Sequence, residues 1–248
     1  MVIYKAKDGV ALLFDEGPNP KITPKILDIL KDKGVKANFF LIGMRAEQSP
    51  EIVRQIAKEG HEIGNHTYTH KRLANILQEQ GGQAVIDEVI KGRGALAKAV
   101  GIEKDQITYL RPPYLSWNYE VARIIEPVYG DNIVSSGLAI GDYDWDADHM
   151  WSEQDTKAIG AHAERIVNAW MKIIENGTLL GFHDSSEHNL PVNKQYDNWM
   201  NWALPTLEAL PTIIDNILQK GFNICRLSEM ELVRENPHAG QNGSNPAR

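Results

Sequence analysis

The sequence has a single cysteine, Cys225, so it cannot form an internal disulfide bond. Cys225 stands in the apolar run FNICRL, which favours a buried structural thiol over a reactive one. No apolar run is long enough to cross a bilayer, and the N-terminus lacks the basic start and apolar stretch of a signal peptide. We therefore expect a chain that does not insert into a membrane.

An excess of basic charge is also absent. The chain has 26 Lys and Arg against 33 Asp and Glu, a net charge of −7. Nucleic acids and anionic membranes select basic surfaces, so neither is an expected partner. Hydrophobic residues make up 42% of the chain, which is enough for a full core. Its length of 248 residues is one at which α/β barrels commonly form a single domain.

Short apolar runs alternate with helical patterns along almost the whole chain. The predicted strands are GVALLF, VKANFFLIG, HEIGNH, ITYLRPPY, NIVSSGLAI, GTLLGFHD and FNICRL. One long helix is predicted across Gln80 to Val100. This alternation predicts a parallel sheet. We expect an α/β fold, a single-domain distorted (β/α) barrel with about seven strands, and a doubly wound open sheet is the alternative.

The composition changes at the C-terminus. Residues 1–234 are expected to form the catalytic domain, whereas residues 235–248, ENPHAGQNGSNPAR, predict a flexible tail or linker. Such a linker suggests a module cut from a larger secreted protein. We therefore expect a secreted or extracellular location and fusion to other modules in the full-length protein.

Five of the predicted strands end in side chains that can carry chemistry. They are Asp15 with Glu16, His66 with His70, Arg111 with Tyr114, Asp144 with Trp145, and His183 with Asp184. In parallel α/β folds functional groups gather at the carboxyl ends of the strands. Each group alone also has an ordinary explanation as a cap, an ion pair or a core histidine. Their joint placement at successive strand ends predicts an active site.

The two histidines of this set are four residues apart. On a helical turn, His66 and His70 would face the same direction, which suits a first-row metal ion. The spacing alone is a weak signal, because it also arises by chance.

The segments FDEGPNP, GNHTYTH, RPPY, DYDW and GFHD, in this order, resemble the five motifs of the polysaccharide deacetylases, carbohydrate esterase family four. The resemblance runs from about Ala11 to Leu227. It implies a distorted α/β barrel and a divalent metal, usually zinc, with cobalt or another first-row ion as alternatives. It also implies a hydrolase that removes N- or O-linked acetyl groups from chitin, peptidoglycan or xylan, so the expected partner is an acetylated polysaccharide or oligosaccharide.

The resemblance assigns roles to the residues that match the motifs. Asp15 is expected to be the catalytic base, oriented by Arg111. Glu16, His66 and His70 are expected to bind the metal.

The remaining roles concern the intermediate and the leaving group. The backbone N–H of Tyr114 is expected to help hold the oxyanion. His183 is the expected general acid, tuned by Asp144, with Trp145 as an apolar neighbour that also contacts substrate.

Two positions depart from the family pattern. The first motif normally has two adjacent aspartates, the second a metal ligand, and here that second residue is Glu16. We expect Glu16 to fold back and still bind, and the alternative is that it turns away and leaves a two-histidine site with water in its place. In either case metal binding is expected to be looser than with an aspartate. The last motif normally has a leucine two residues before the histidine, lining the acetyl pocket, and here it is Gly181. Leu180 or Phe182 is expected to fill that space.

The substrate is less sharply indicated. Trp117 and Trp199 lie in predicted loops or beside motifs and suit stacking on sugar rings, although core packing explains them equally well. The linker-like tail tilts the expectation slightly toward acetylated xylan, ahead of chitin oligomers and peptidoglycan. Two alternatives stay open: a glycan-binding module whose catalysis is weakened by Glu16, and a small-molecule amidohydrolase on the same fold.

Overall fold

A parallel β-sheet forms the centre of the computed structural model, which describes residues 2–135, 154–185 and 203–235. Within these ranges the strands are β1 (Val2–Ala6), β2 (Val10–Asp15), β3 (Asn38–Leu41), β4 (Glu62–Asn65), β5 (Thr178–His183) and β6 (Leu232–Glu235). The parallel sheet has the order β4-β3-β2-β5, and β1 pairs with β6 in a separate antiparallel pair. The expected α/β fold is confirmed.

Helices connect and cover these strands. In the described ranges they are α1 (Thr23–Asp32), α2 (Gly43–Gln48), α3 (Pro50–Lys58), α4 (Leu73–Gln80), α5 (Gly82–Val100), α6 (Tyr119–Tyr129), α7 (Thr156–Ile173) and α8 (Leu204–Gln219). The long helix predicted across Gln80 to Val100 is confirmed as α5, but it begins at Gly82, because Gly81, with a φ of 86°, separates it from α4. None of the helices within the described ranges combines the length and hydropathy that a membrane span requires.

Three predicted strands appear in the described residues as single bridges. Leu110 bridges to Asn65 and to Ile133, and Val134 bridges to Ile3, all in parallel orientation. A fourth bridge, also parallel, joins Val10 to Ile224. These bridges continue the sheet from the edge of β4 toward β1, so the sheet curls as in a distorted barrel. Within the described residues, this curl is made by single bridges and not by regular strand pairing.

Strand β2 is buried on both faces, as expected for a central parallel strand. Leu12 and Phe14 point into the larger hydrophobic cluster, where the Phe14 ring stacks 5.1 Å from Phe39. Ala11 and Leu13 point into a second cluster on the other face of the sheet. By the alternation of a strand, Asp15 continues the face of Ala11 and Leu13.

The β1–β6 pair was not predicted from the sequence. Its segments, VIYKA and LVRE, are short and carry charged residues, so they lack the apolar run that marks a buried strand. Because β6 ends at Glu235, the first residue of the predicted tail belongs to a strand, and residues 236–248 lie outside the described ranges. Cys225 is a partly buried free thiol that packs against the second cluster.

Candidate active site

Asp15 is held at the end of β2 by an arginine from a distant part of the chain. Arg111 donates a hydrogen bond from Nε to Oδ2 of Asp15 at 2.6 Å, and both side chains are almost fully buried. The other carboxylate oxygen, Oδ1, has no hydrogen-bond partner among the described residues. One oxygen of Asp15 is therefore fixed, and the other is open to a ligand that carries a proton.

His66 and His70 follow β4 in a turn, not in the helical turn that their spacing suggested. Thr67 and His70 have φ values of 66° and 63°, in the left-handed region that side-chain-bearing residues rarely adopt. This backbone, rather than helical periodicity, brings the two imidazole rings to a centroid separation of 5.0 Å. The expectation of a helical turn is wrong, but the two histidines do lie together.

Helix α5 holds the histidine turn in place. Glu88 accepts hydrogen bonds at Oε1 from the backbone N–H groups of Tyr68, at 3.1 Å, and Thr69, at 2.6 Å. One turn later, Gly92 lets the helix approach closely, since a Cβ there would lie 2.6 Å from the carbonyl carbon of Thr67. Sequence reasoning missed both residues. Their four-residue spacing, which places them on one helix face, was the available signal.

Both histidines are neutral at pH 7. Burial, reinforced by the charge of Arg111, lowers the pKa of His66 to about 3. Burial, and then the charges of His66 and Arg45, lower the pKa of His70 well below its usual value. The carbonyl oxygen of Arg111 lies 2.7 Å from His66 Nδ1, so Nδ1 donates to it and Nε2 keeps its lone pair. Neutral imidazole is the form that binds a metal ion.

Glu16 points its carboxylate toward two histidines. Its Oε1 lies 3.6 Å from His70 Nε2 and 4.0 Å from His183 Nε2. Two ligand atoms on one tetrahedral zinc ion are about 3.4 Å apart, because each is about 2.0–2.1 Å from the metal. Neither ring nitrogen of His70 has a hydrogen-bond partner in the described structure. The separation of Glu16 and His70 therefore fits a pair of ligands to one ion.

The metal implied by the resemblance fits these residues by their chemistry. Two neutral imidazoles and a carboxylate are the ligand types that a first-row divalent ion prefers. In the ranges that the structure describes, no three His, Cys, Asp or Glu side chains already form a metal cage. Binding would therefore require the side chains of Glu16, His66 and His70 to close around the ion.

His183 and Tyr114 border the same site. His183 ends β5 and is the register partner of Asp15, so their backbones are about 4.8 Å apart on neighbouring strands. Tyr114 has a left-handed φ of 58°, and its ring centroid lies 4.8 Å from that of His70. The guanidinium of Arg72 covers the Tyr114 ring at 3.9 Å.

Other predicted site residues lie elsewhere. Leu180 and Phe182 are fully buried in the larger hydrophobic cluster, and the Phe182 ring stacks 5.5 Å from Phe14. Strand alternation places both side chains on the face opposite His183, which corrects the expectation that one of them replaces the missing pocket leucine. Trp117 is partly buried against the cluster between α4, α5 and α6. Asp144, Trp145 and Trp199 lie outside the described ranges.

Comparison with known proteins identifies the family to which this fold belongs. Residues 4–128, half of the chain, match the family model for polysaccharide deacetylase. A peptidoglycan-N-acetylglucosamine deacetylase from Bacillus cereus is 46% identical over 108 residues, which are 44% of this chain and 37% of that relative. A chitooligosaccharide deacetylase from Bradyrhizobium sp. (strain ANU 289) is 30% identical over 222 residues, 90% of each chain.

A solved structure shows the same likeness across nearly the whole length. The crystal structure of a peptidoglycan N-acetylglucosamine deacetylase matches with a TM-score of 0.69 and 30% identity, covering 92% of both chains. Fold and motifs together define a hydrolytic enzyme of the deacetylase class. The chain belongs to the polysaccharide deacetylase family, which confirms the resemblance carried by its five motifs.

Proposed function

We propose that this protein is a metal-dependent deacetylase that hydrolyses the N-acetyl groups of N-acetylglucosamine units in a glycan. The relatives named above are deacetylases of peptidoglycan N-acetylglucosamine and of chitooligosaccharides, which share this sugar. The observation that carries the proposal is the half-open Asp15 carboxylate, fixed by Arg111, in a site that also holds two neutral histidines.

Glu16, His66 and His70 are the proposed metal ligands, and zinc is the proposed ion. When bound, the ion supplies acidity to a water molecule and polarises the acetyl carbonyl. Two neutral imidazoles and one carboxylate cancel only one of the two positive charges of the ion. The site is then cationic, as a developing oxyanion requires.

Asp15 is the proposed base. Hydrolysis at neutral pH needs a group that takes a proton from the attacking water. Oδ2 of Asp15 is occupied by Arg111, so Oδ1 is the atom that accepts this proton. Because the Asp15–Arg111 pair is buried, the carboxylate of Asp15 keeps one orientation, and Oδ1 keeps one direction relative to the proposed ligands.

The later steps fall to Tyr114 and His183. The backbone N–H of Tyr114 is the proposed donor to the oxyanion, a contribution of about 3 kcal/mol for one such donor. His183, in its protonated form, is proposed to give a proton to the leaving amine nitrogen. The proposal is supported by the register of the sheet, in which His183 pairs with Asp15 on the neighbouring strand. Asp144, the proposed partner of His183, lies outside the described ranges.

The test is acetate release from chitin oligomers, peptidoglycan and acetylated xylan, measured with added zinc or cobalt and after chelation. We expect metal-dependent release from the two glycans that contain N-acetylglucosamine, and none from an Asp15→Asn control. The slight preference for acetylated xylan stays a prediction that the same panel tests. Release from acetylated xylan alone would overturn the proposed linkage, and no release from any substrate would overturn the proposed activity.

A further inference from the structure

Glu16 is the residue at which this chain departs from the family pattern, and its backbone is strained. Its φ of 75° lies in the left-handed region, which costs a residue with a side chain roughly 1 kcal/mol or more. Such a conformation persists when its surroundings hold it. The backbone N–H of Glu16 donates to the carbonyl of Phe40 at 3.1 Å, and the next carbonyl, of Gly17, accepts from Ile42 at 2.9 Å.

The carbonyl of Glu16 itself is held by a buried arginine. Arg45, in the short helix α2, donates from Nη1 to this oxygen, and its side chain is 1% exposed. Burying a guanidinium is costly unless it is paired and hydrogen-bonded, so this contact offsets part of that cost and helps to keep Arg45 in place. The carboxylates of Glu16 and Asp184 both stabilise its charge.

Asp184 lies on the other side of the Glu16–Gly17 backbone from Arg45. It is fully buried, and its Oδ2 accepts a hydrogen bond from Thr23 Oγ1. It also packs directly on Gly17, where an added Cβ would lie 2.3 Å from Oδ2. Since Gly17 follows Glu16 directly, the backbone that carries Glu16 is confined between Arg45 and Asp184.

We propose that Arg45 is a positioning residue for Glu16: by holding the Glu16 carbonyl it maintains the left-handed backbone that aims the long glutamate side chain at His70. A glutamate has one more side-chain torsion than an aspartate and so loses more freedom when its carboxylate is directed. Arg45 reduces that loss by fixing the backbone from which the side chain starts. The inference rests on the proposed metal dependence. It explains how a glutamate can serve as a metal ligand at the position where the family pattern has an aspartate.

Charge and position predict opposite effects of Arg45 on metal binding. The positive charge of Arg45 acts on His70, and a cation bound beside His70 would be repelled by it. If charge were the whole effect, removing Arg45 would tighten metal binding. If the positioning of Glu16 is the larger effect, removing Arg45 weakens metal binding. The sign of the change in affinity therefore separates the two.

The experiment titrates metal-free protein with zinc in competition with a chromophoric chelator. It compares the wild type with Arg45→Met, Arg45→Lys, Glu16→Gln and the double variant Glu16→Gln/Arg45→Met. Arg54→Met is the control, because Arg54, on helix α3, is exposed and donates to the backbone carbonyl of Ala99 at 3.2 Å. This control variant removes the same charge and a bond to a backbone carbonyl away from Glu16.

We expect Arg45→Met to weaken zinc binding by about 10-fold or more, the usual scale for a group that orients a metal ligand. Arg45→Lys should recover part of the loss, and Arg54→Met should bind zinc like the wild type. In the Glu16→Gln background, Arg45→Met should cause no further loss of zinc affinity. Equal or tighter binding by Arg45→Met, or an equal loss in the Glu16→Gln background, would overturn the inference.

Three further outcomes are also informative. Should Arg45→Met not fold, Arg45→Lys and the double variant Glu16→Gln/Arg45→Lys give the same comparison. Absence of zinc binding by the wild type would overturn the proposed function and this inference with it. If the wild type binds zinc and the Arg45 variants bind it equally well, the inference alone is overturned.

Discussion

Asp15 and Arg111 are 96 residues apart in the chain, yet Nε of Arg111 lies 2.6 Å from Oδ2 of Asp15 in a buried ion pair. The pair leaves Oδ1 as the open atom of the carboxylate. Removing one member of a buried ion pair strands the other charge, at a cost of about 3–5 kcal/mol. Variants at Asp15 are therefore best made with a side chain that keeps the shape and the hydrogen bond.

Asp15→Asn should reduce acetate release by about 100- to 10,000-fold, because an amide oxygen is a poor proton acceptor. Zinc affinity should change little, since the proposed ligands are other residues. The check is acetate release alongside a zinc titration on the same folded sample. Near-normal release would assign the base to a different residue.

His66→Ala and His70→Ala should each abolish acetate release and sharply lower zinc affinity, because each removes a neutral imidazole from the site. His61→Asn is the matched control. His61 is also a buried histidine, but it lies away from the site. Its Nδ1 accepts a hydrogen bond of 3.1 Å from the backbone N–H of Ala37. If both metal content and turnover survive either alanine variant, the metal site lies elsewhere.

Glu16→Asp tests the fit of the longer side chain. The sequence alone predicts that Glu16 binds metal more loosely than an aspartate. The separation of 3.6 Å between Glu16 Oε1 and His70 Nε2 changes that expectation, because it already suits a shared ion. Shortening the side chain withdraws the carboxylate by about 1.5 Å, whereas metal–ligand distances tolerate about 0.2 Å. Chelation should therefore strip Glu16→Asp more readily than the wild type, and the reverse order would refute this geometry.

Gly92→Ala should destabilise the protein by about 1–3 kcal/mol and weaken zinc binding, because the added methyl group collides with the histidine turn. A Cβ at Gly92 would lie 2.5 Å from Asn65 Oδ1. Gly94→Ala in the same helix is the control, since nothing lies within 4 Å of its added Cβ. That variant should be neutral or more stable by up to about 1 kcal/mol. Denaturant unfolding measures both, and equal effects would contradict the close packing of α5.

His61 should make the stability of the protein depend on pH between about 4 and 6.5. Burial, and then the charges of Lys36 and Arg226, lower its pKa from 6.5 to about 4. In this window the unfolded chain binds a proton that folded His61 does not, so the free energy of unfolding rises with pH. The contribution is full above pH 6.5 and is lost as pH falls. His61→Asn should reduce the slope of the profile across this window, to which the buried His66 and His70 also contribute, and an unchanged slope would contradict the assignment.

The sequence predicted much of this site because strand ends are easy to recognise. Asp15, His66 and His183 each follow a short apolar run, and parallel strands bring such residues to one edge. The strand period could also have excluded Leu180 and Phe182, since residues that flank Gly181 point away from its face.

Other features depend on contacts that local patterns do not encode. The histidine turn uses left-handed backbone at Thr67 and His70, which Glu88 stabilises from a helix about 20 residues later. Arg45 resembles any arginine in a short polar helix, and its role emerges from burial against the Glu16 carbonyl. The single bridges at Leu110 and Val134 likewise depend on the curl of the sheet.

The most direct test of metal-dependent deacetylation is one titration. Zinc is added back to chelated protein while acetate release from chitin oligomers is followed, with Asp15→Asn run in parallel. The proposed function predicts that release returns in proportion to bound zinc and saturates at one ion per chain, and that Asp15→Asn binds the same zinc without recovering activity. Acetate release that persists in the chelated protein, or that does not return when zinc binds, would contradict it.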